Sequence, residues 1–208
     1  MRVLKGTVLA LAIVGLVFII RAVTAGKGGP ALSARTSDAL TVIRERVSVR
    51  RYLNKPVSRQ DLETLVRAGM AAPSAGDKRP WAFVVVTRKD LLVALARDLE
   101  HGKMLAGAAA AIVTCGVMDR TLPGKEWEFW VQDCSAASEN ILLAAQALRL
   151  GAVWVGLYPV LERSRRVQIA LNIPDDVIPL NVISVGHPVG VEKSKDKYDP
   201  TNIHWETW

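Results

Sequence analysis

A chain of 208 residues with 50% hydrophobic content can bury one sizeable core, which excludes an intrinsically disordered protein. Its net charge of +7 is uneven: Arg2, Lys5, Arg21 and Lys27 are the only charges in residues 1–30, and they leave +3 for the rest. A residual charge that small, with no basic stripe interleaved with aromatics, argues against nucleic-acid binding.

Gly6 to Ile20 carries no charge and lies between Lys5 and Arg21, and Val23-Thr24-Ala25 offers small residues suited to a signal peptidase. The run is shorter than the roughly 20 apolar residues of a comfortable membrane span. A cleaved signal, an uncleaved anchor and a core helix therefore stay open. The working division is a signal peptide or membrane anchor over 1–25, a linker over 26–36 and one domain over 37–208. It implies a membrane-anchored or exported protein, touching the membrane through residues 6–20 if they are retained.

Ser37 is placed to cap a helix running to about Glu45. In the following Arg46-Val47-Ser48-Val49-Arg50, an extended backbone puts Arg46, Ser48 and Arg50 on one face and the two valines on the other. Two guanidinium forks and a hydroxyl on one face suit a phosphate, and equally a solvated edge strand. Ser58 with Asp61 resembles a capping box for a helix bearing Leu62, Leu65, Val66 and Met70, which ends before Pro73. Ala72-Pro73-Ser74-Ala75-Gly76-Asp77-Lys78-Arg79-Pro80-Trp81 then leads into an apolar strand over 82–86. Small, turn-forming residues running into a buried strand can bring backbone close to a flat ligand.

A helix follows over 90–99, a strand over 110–117 and one long helix over 126–150, stopped by Gly151. Trp127, Trp130, Cys134, Ala137, Ile141 and Ala144 form a stripe on that helix, fit for core packing or for a homodimer interface. A strand over 153–158 contains Gly156, which marks a bulge or a close approach of backbone to a ligand. A basic-faced helix over 161–171 ends at Asn172 and Pro174, and a last strand spans 180–185. The strands are continuous apolar runs, so helices should cover both faces of the sheet. The tail carries Lys193, Lys195 and Lys197, and its Trp205 and Trp208 are expected to pack on something.

His101, His187 and His204 are scattered, and there is no HExxH, GxSxG, P-loop or strand-linked GxGxxG. An enzyme built from these residues would borrow its reactivity from a cofactor. Cys115 and Cys134 form no CxxC pair and read as buried thiols, or as a disulfide if the domain is exported.

Five motifs taken in order resemble the nitroreductase family of FMN flavoproteins over roughly residues 37–208. They are RVSVRRY at 46–52, Pro56-Val57 before a Leu-rich helix, APSAGDKRPWAFVVV at 72–86, LGAVWVG at 150–156 and the Lys-rich tail with its Ile203-His204-Trp205 ending. The resemblance implies an α+β three-layer sandwich with a mostly antiparallel central sheet, in a homodimer carrying FMN at its interface. It also implies that Arg46, Val47, Ser48 and Arg50, with Lys195 and Lys197, line the phosphate and ribityl chain. Pro73, Ser74 and Asp77 of one subunit would reach the edge of a ring held mainly by the other. Trp154, Val155, Gly156 and Leu157 would offer backbone amides to its centre. The implied reaction is ping-pong electron transfer from NAD(P)H to a nitroaromatic, quinone or similar acceptor, without a catalytic side chain or a metal. The short stretch from Gly116 to Trp130 resembles the plain reductases more than relatives with an inserted lid.

Three departures stand out. Asp77 replaces the Asn usual in the family, Arg79 replaces a Gln, and Lys197 stands where Arg is common. An ionised carboxylate only accepts hydrogen bonds, so an unpaired Asp77 should lower the flavin potential, and Arg79 is expected to offset it by pairing with Asp77 or by facing the flavin. An exported domain would also lack NAD(P)H. The competing expectation is a flavin-binding module without turnover, tethered at a membrane.

Overall fold

Four apolar segments pair into one antiparallel sheet, β1 (Trp81–Val86), β2 (Ala110–Val117), β3 (Gly151–Gly156) and β4 (Val177–Gly186), in the order β1-β2-β4-β3. The structure, a computed structural model, describes residues 38–208. The expected signal or anchor over 1–25 and the linker over 26–36 lie outside them, as does Ser37. Among the described residues five α-helices surround the sheet: α1 (Ala39–Glu45), α2 (Arg59–Met70), α3 (Lys89–Asp98), α4 (Phe129–Ala147) and α5 (Leu161–Leu171).

Alternation along the strands sorts the core into layers. Ala110, Ile112, Ala152, Ile183 and Val185 face Leu62 and Leu65 of α2 and Ile141, Leu142 and Ala145 of α4. Ala111, Val113, Cys115, Val155 and Val182 face Leu92 and Leu95 of α3 and Val167 of α5. Every residue of β2 is buried, as a strand covered on both faces requires. The architecture is the expected α+β sandwich of three layers.

Several local expectations change. Asp38 caps α1, its carboxylate accepting from Thr41 N at 3.3 Å. Ser58 caps α2 as expected, accepting from Asp61 N at 3.0 Å. The long helix is shorter than expected at both ends. A 3-10 turn over Gly124–Glu126 precedes it, and Arg149, with φ 57°, turns the chain after Ala147. Gly151 belongs to β3 and does not cap the helix. Trp130, Cys134, Ala137 and Ile141 of the α4 stripe are fully buried in this chain's own core, which leaves only the flanking Trp127 substantially exposed. Trp205 and Trp208 are exposed, so the expected packing of the tail is not made among the described residues; Trp208 stacks on His204 at 4.0 Å. Both cysteines are free and buried, and burial pushes the Cys115 thiol up to about 12. No helix among the described residues is long and apolar enough to cross a membrane.

Candidate functional site

Residues 46–53 run extended beside the end of the sheet because two glycines make room for them. Gly151 and Gly186 are register partners across β3 and β4. A β-carbon on Gly151 would fall 2.6 Å from Val49 Cγ1, and one on Gly186 would fall 2.8 Å from Tyr52 Cδ1. The Val49 N–H donates to Ala152 O at 3.0 Å and the Leu53 N–H to His187 O at 2.8 Å, while Arg51 O accepts from Val189 N at 3.1 Å. The Tyr52 hydroxyl donates to Val49 O at 2.6 Å and accepts from the Ser184 hydroxyl at 2.7 Å. Burial raises its phenol from 10.0 to about 12.

The valines of RVSVR point inward, Val49 fully, while Ser48 and Arg50 stay exposed. Arg46 is held by Glu139 of α4, Nε to Oε1 at 3.1 Å, with its side chain only 20% exposed. It lines a cleft of about 500 Å³ together with Ile43, Arg44, Ser194, Lys195, Asp196, Lys197 and Tyr198. Cations from opposite ends of the domain thus meet at one concave surface: Arg44 and Arg46 from one end, Lys195 and Lys197 from the other. Asp196 and Glu139 oppose them only in part. Such a donor set fits a phosphate monoester, which takes both the fork of arginine and the point charge of lysine. Ser48, Arg50 and the Pro73–Arg79 loop do not line this cleft.

That loop has its own scaffold. Ser74 Oγ accepts from Arg79 N at 2.9 Å, Ser74 O from Asp77 N at 3.0 Å and Ala75 O from Lys78 N at 3.1 Å. Gly76, Asp77 and Arg79 all adopt left-handed backbone, with φ of 55°, 53° and 49°. The Arg79 guanidinium forks onto Asp77, Nε to Oδ1 at 2.8 Å and Nη2 to Oδ2 at 2.5 Å, and holds that carboxyl below its ordinary value. Of the two expectations for Arg79, pairing with Asp77 is the arrangement present. Non-glycine residues cluster in left-handed backbone where the surroundings over-determine it, typically at functional sites.

At the end of β3, Val155 and Leu157 are buried, Trp154 is half-buried and Gly156 is exposed. The Leu157 N–H already donates to Leu180 O at 3.0 Å, so the expectation that it serves a ligand is corrected. Gly156 holds no bulge; the sheet's irregularity lies between Thr114 and Cys115. A β-carbon on Gly156 would meet only Trp154 Nε1, at 3.8 Å, so no neighbour among the described residues demands a glycine there.

Arg44, Glu139, Asp133 and Tyr52 form part of this machinery without having been singled out from sequence. Asp133 had a signal: it follows Trp130 by three positions and so shares the buried face of α4.

The nitroreductase family model matches residues 43–111 and 93–187. This chain belongs to the nitroreductase family. A candidate NADH dehydrogenase/NAD(P)H nitroreductase of Archaeoglobus fulgidus is 40% identical over 174 residues, covering 82% of this chain and 99% of that protein. A crystal structure of the same description from Bacteroides thetaiotaomicron is 44% identical and covers 83% of this chain and 100% of its own, with a TM-score of 0.78. A candidate nitroreductase from Desulfovibrio desulfuricans, solved in complex with FMN, is 28% identical with a TM-score of 0.71 and covers 83% and 98% of the two chains. The family fold is thus complete within about four-fifths of this chain. The expectation of a membrane-anchored or exported protein is corrected on these relatives, whose own length is matched almost completely by about four-fifths of this chain; no helix among the described residues is long and apolar enough to cross a membrane.

Proposed function

We propose that this nitroreductase-family chain is an FMN-dependent oxidoreductase that moves electrons from NAD(P)H to a nitroaromatic, quinone or similar acceptor, and that it works as a homodimer. The observation that carries the reading is the convergence of Arg46 with Lys195 and Lys197 at one cleft. These cations come from two of the five motifs and are far apart in the chain.

FMN, when bound, supplies a centre that takes two electrons from a nicotinamide and gives them to a second substrate. The residues position and polarise. Arg46, braced by Glu139, forms a fixed fork for the phosphate, and Lys195 and Lys197 add charge from the tail. Ser48 and Arg50, on the same face of the extended segment, attend the ribityl chain. Trp154, Val155 and Gly156 present the open end of β3 to the ring. Pro73, Ser74, Asp77 and Arg79 of the other subunit border its edge, where the Asp77–Arg79 fork keeps the local charge near balance. Donor and acceptor occupy the same pocket in turn, in a scheme that requires no side-chain general acid or base.

An absorbance spectrum of the purified full-length protein with added FMN, followed by steady-state NAD(P)H oxidation with menadione or a nitrofuran, tests this. A yellow dimer that turns over is expected. A colourless protein at saturating FMN overturns the proposal, and a yellow one that never oxidises NAD(P)H reduces it to a flavin-binding module.

A further inference from the structure

Asp133 is a carboxylate on the buried face of α4, between Trp130 and Cys134. Its Oδ1 accepts from the Ala75 N–H at 2.9 Å, and no cation among the described residues lies within ion-pair distance. Burial pushes its carboxyl above the ordinary value, while the bond from Ala75 pulls the other way. A lone buried charge is unfavourable, so what it holds matters.

The loop it holds makes its own shape. The Ser74–Arg79 bond, the Ser74–Asp77 turn and the Asp77–Arg79 fork are internal to residues 74–79 and would survive if the loop swung as a unit. Among the described residues, Asp133 is the only side chain from outside residues 72–80 that hydrogen-bonds this loop. A carboxylate suits that task better than an amide. It is acceptor-only, so it cannot present a donor to the Ala75 N–H by turning over, and its charge makes the bond roughly twice as strong as a neutral one.

We propose that Asp133 is a positioning residue: it fixes where the loop 72–79 stands against the sheet, and thereby how Pro73, Ser74 and Asp77 meet the ligand. The part concerning the ligand rests on the function proposed above; the part concerning the loop does not.

Two variants of similar size, D133N and D133L, are both neutral, and only the first can still accept a hydrogen bond. Amide exchange at Ala75 and FMN affinity are measured on the full chain of each. A hydrogen bond to a charged group is worth about 1.5–3 kcal/mol, or roughly tenfold and upward. D133N should therefore keep the Ala75 amide protected to within a few-fold of wild type, while D133L should speed its exchange about tenfold or more and weaken FMN by a similar factor. Leucine suits a buried helix face, so D133L retains the fold, checked by circular dichroism. Equal Ala75 exchange in D133N and D133L overturns the positioning role outright. Faster exchange in D133L with unchanged FMN affinity overturns its relevance to the ligand. A wild-type protein that binds no FMN defeats the functional reading while leaving the exchange comparison to decide the loop.

Discussion

Val49 rests against the bare Cα of Gly151, its Cγ1 2.6 Å from the point where a β-carbon would sit. The contact seats the whole 46–50 segment, because the Val49 N–H is bonded to the neighbouring Ala152. G151A should force Val49 outward and disturb Arg46 with it. Overpacking of this kind costs about 1–3 kcal/mol. Denaturant unfolding should show that loss, and FMN titration should show weakened binding. Retained stability and affinity would mean that the segment is not fixed by this seat.

Tyr52 gives a pH signature. Its folded-state phenol titrates at about 12 against an ordinary 10.0. The unfolded chain therefore releases the proton first as pH rises, and folded-state stability drains away between those values. Below pH 10 the contribution is complete; between pH 10 and 11 wild type should lose about 1 kcal/mol more than Y52F. Unfolding curves at the two pH values check the difference, and parallel losses in both proteins would place Tyr52 in solvent.

The cationic cleft predicts a graded series. Charged hydrogen bonds contribute about 1.5–3 kcal/mol at most, so K195A and K197A should each weaken FMN by roughly tenfold or more. Each should also flatten the dependence of affinity on salt, since fewer charges are screened. R46A should weaken it further, because Glu139 is then left without its partner. K197R restores a fork and should bind more tightly than wild type. Fluorescence titration of FMN at low and high salt reads all four.

The Asp77–Arg79 fork predicts opposite shifts of the flavin potential. R79Q leaves a bare carboxylate and should lower the potential. D77N leaves a bare guanidinium and should raise it. The double variant D77N/R79Q, with neither charge, should return close to wild type, because the two opposite shifts cancel. Spectroelectrochemical titration measures each. If no single variant moves the potential, the fork stands away from the ring.

Much of this fold was legible because its signals are local and physical. The apolar runs of β2 and β4 announced strands covered on both faces, and Ser58, Asn172 and Pro174 marked helix ends where the structure has them. Gly151 misled because a glycine after a long helix has two uses. The helix turned on Arg149, and the glycine made room for Val49, a partner about 100 residues earlier in the chain. The cleft shows the same division. Arg46 and the tail lysines could be singled out by charge, whereas the brace from Glu139 depends on how α4 lies against α1. The Asp77–Arg79 pair was foreseeable from adjacency; the left-handed backbone that presents it was not. The tryptophans of the tail show the limit in the other direction, since their size predicted burial that the described residues do not provide.

The meeting of the first described segments with the last has a mechanical side. An anion gripped at once by Arg46 and Lys195 works as a non-covalent staple, fastening the polypeptide's trailing end to its leading one and closing a loop that includes the entire sheet. Stripped of that anion, the domain keeps its core but frees its tail, so proteases should nick near residues 190–200 first, and saturating ligand should silence those cuts.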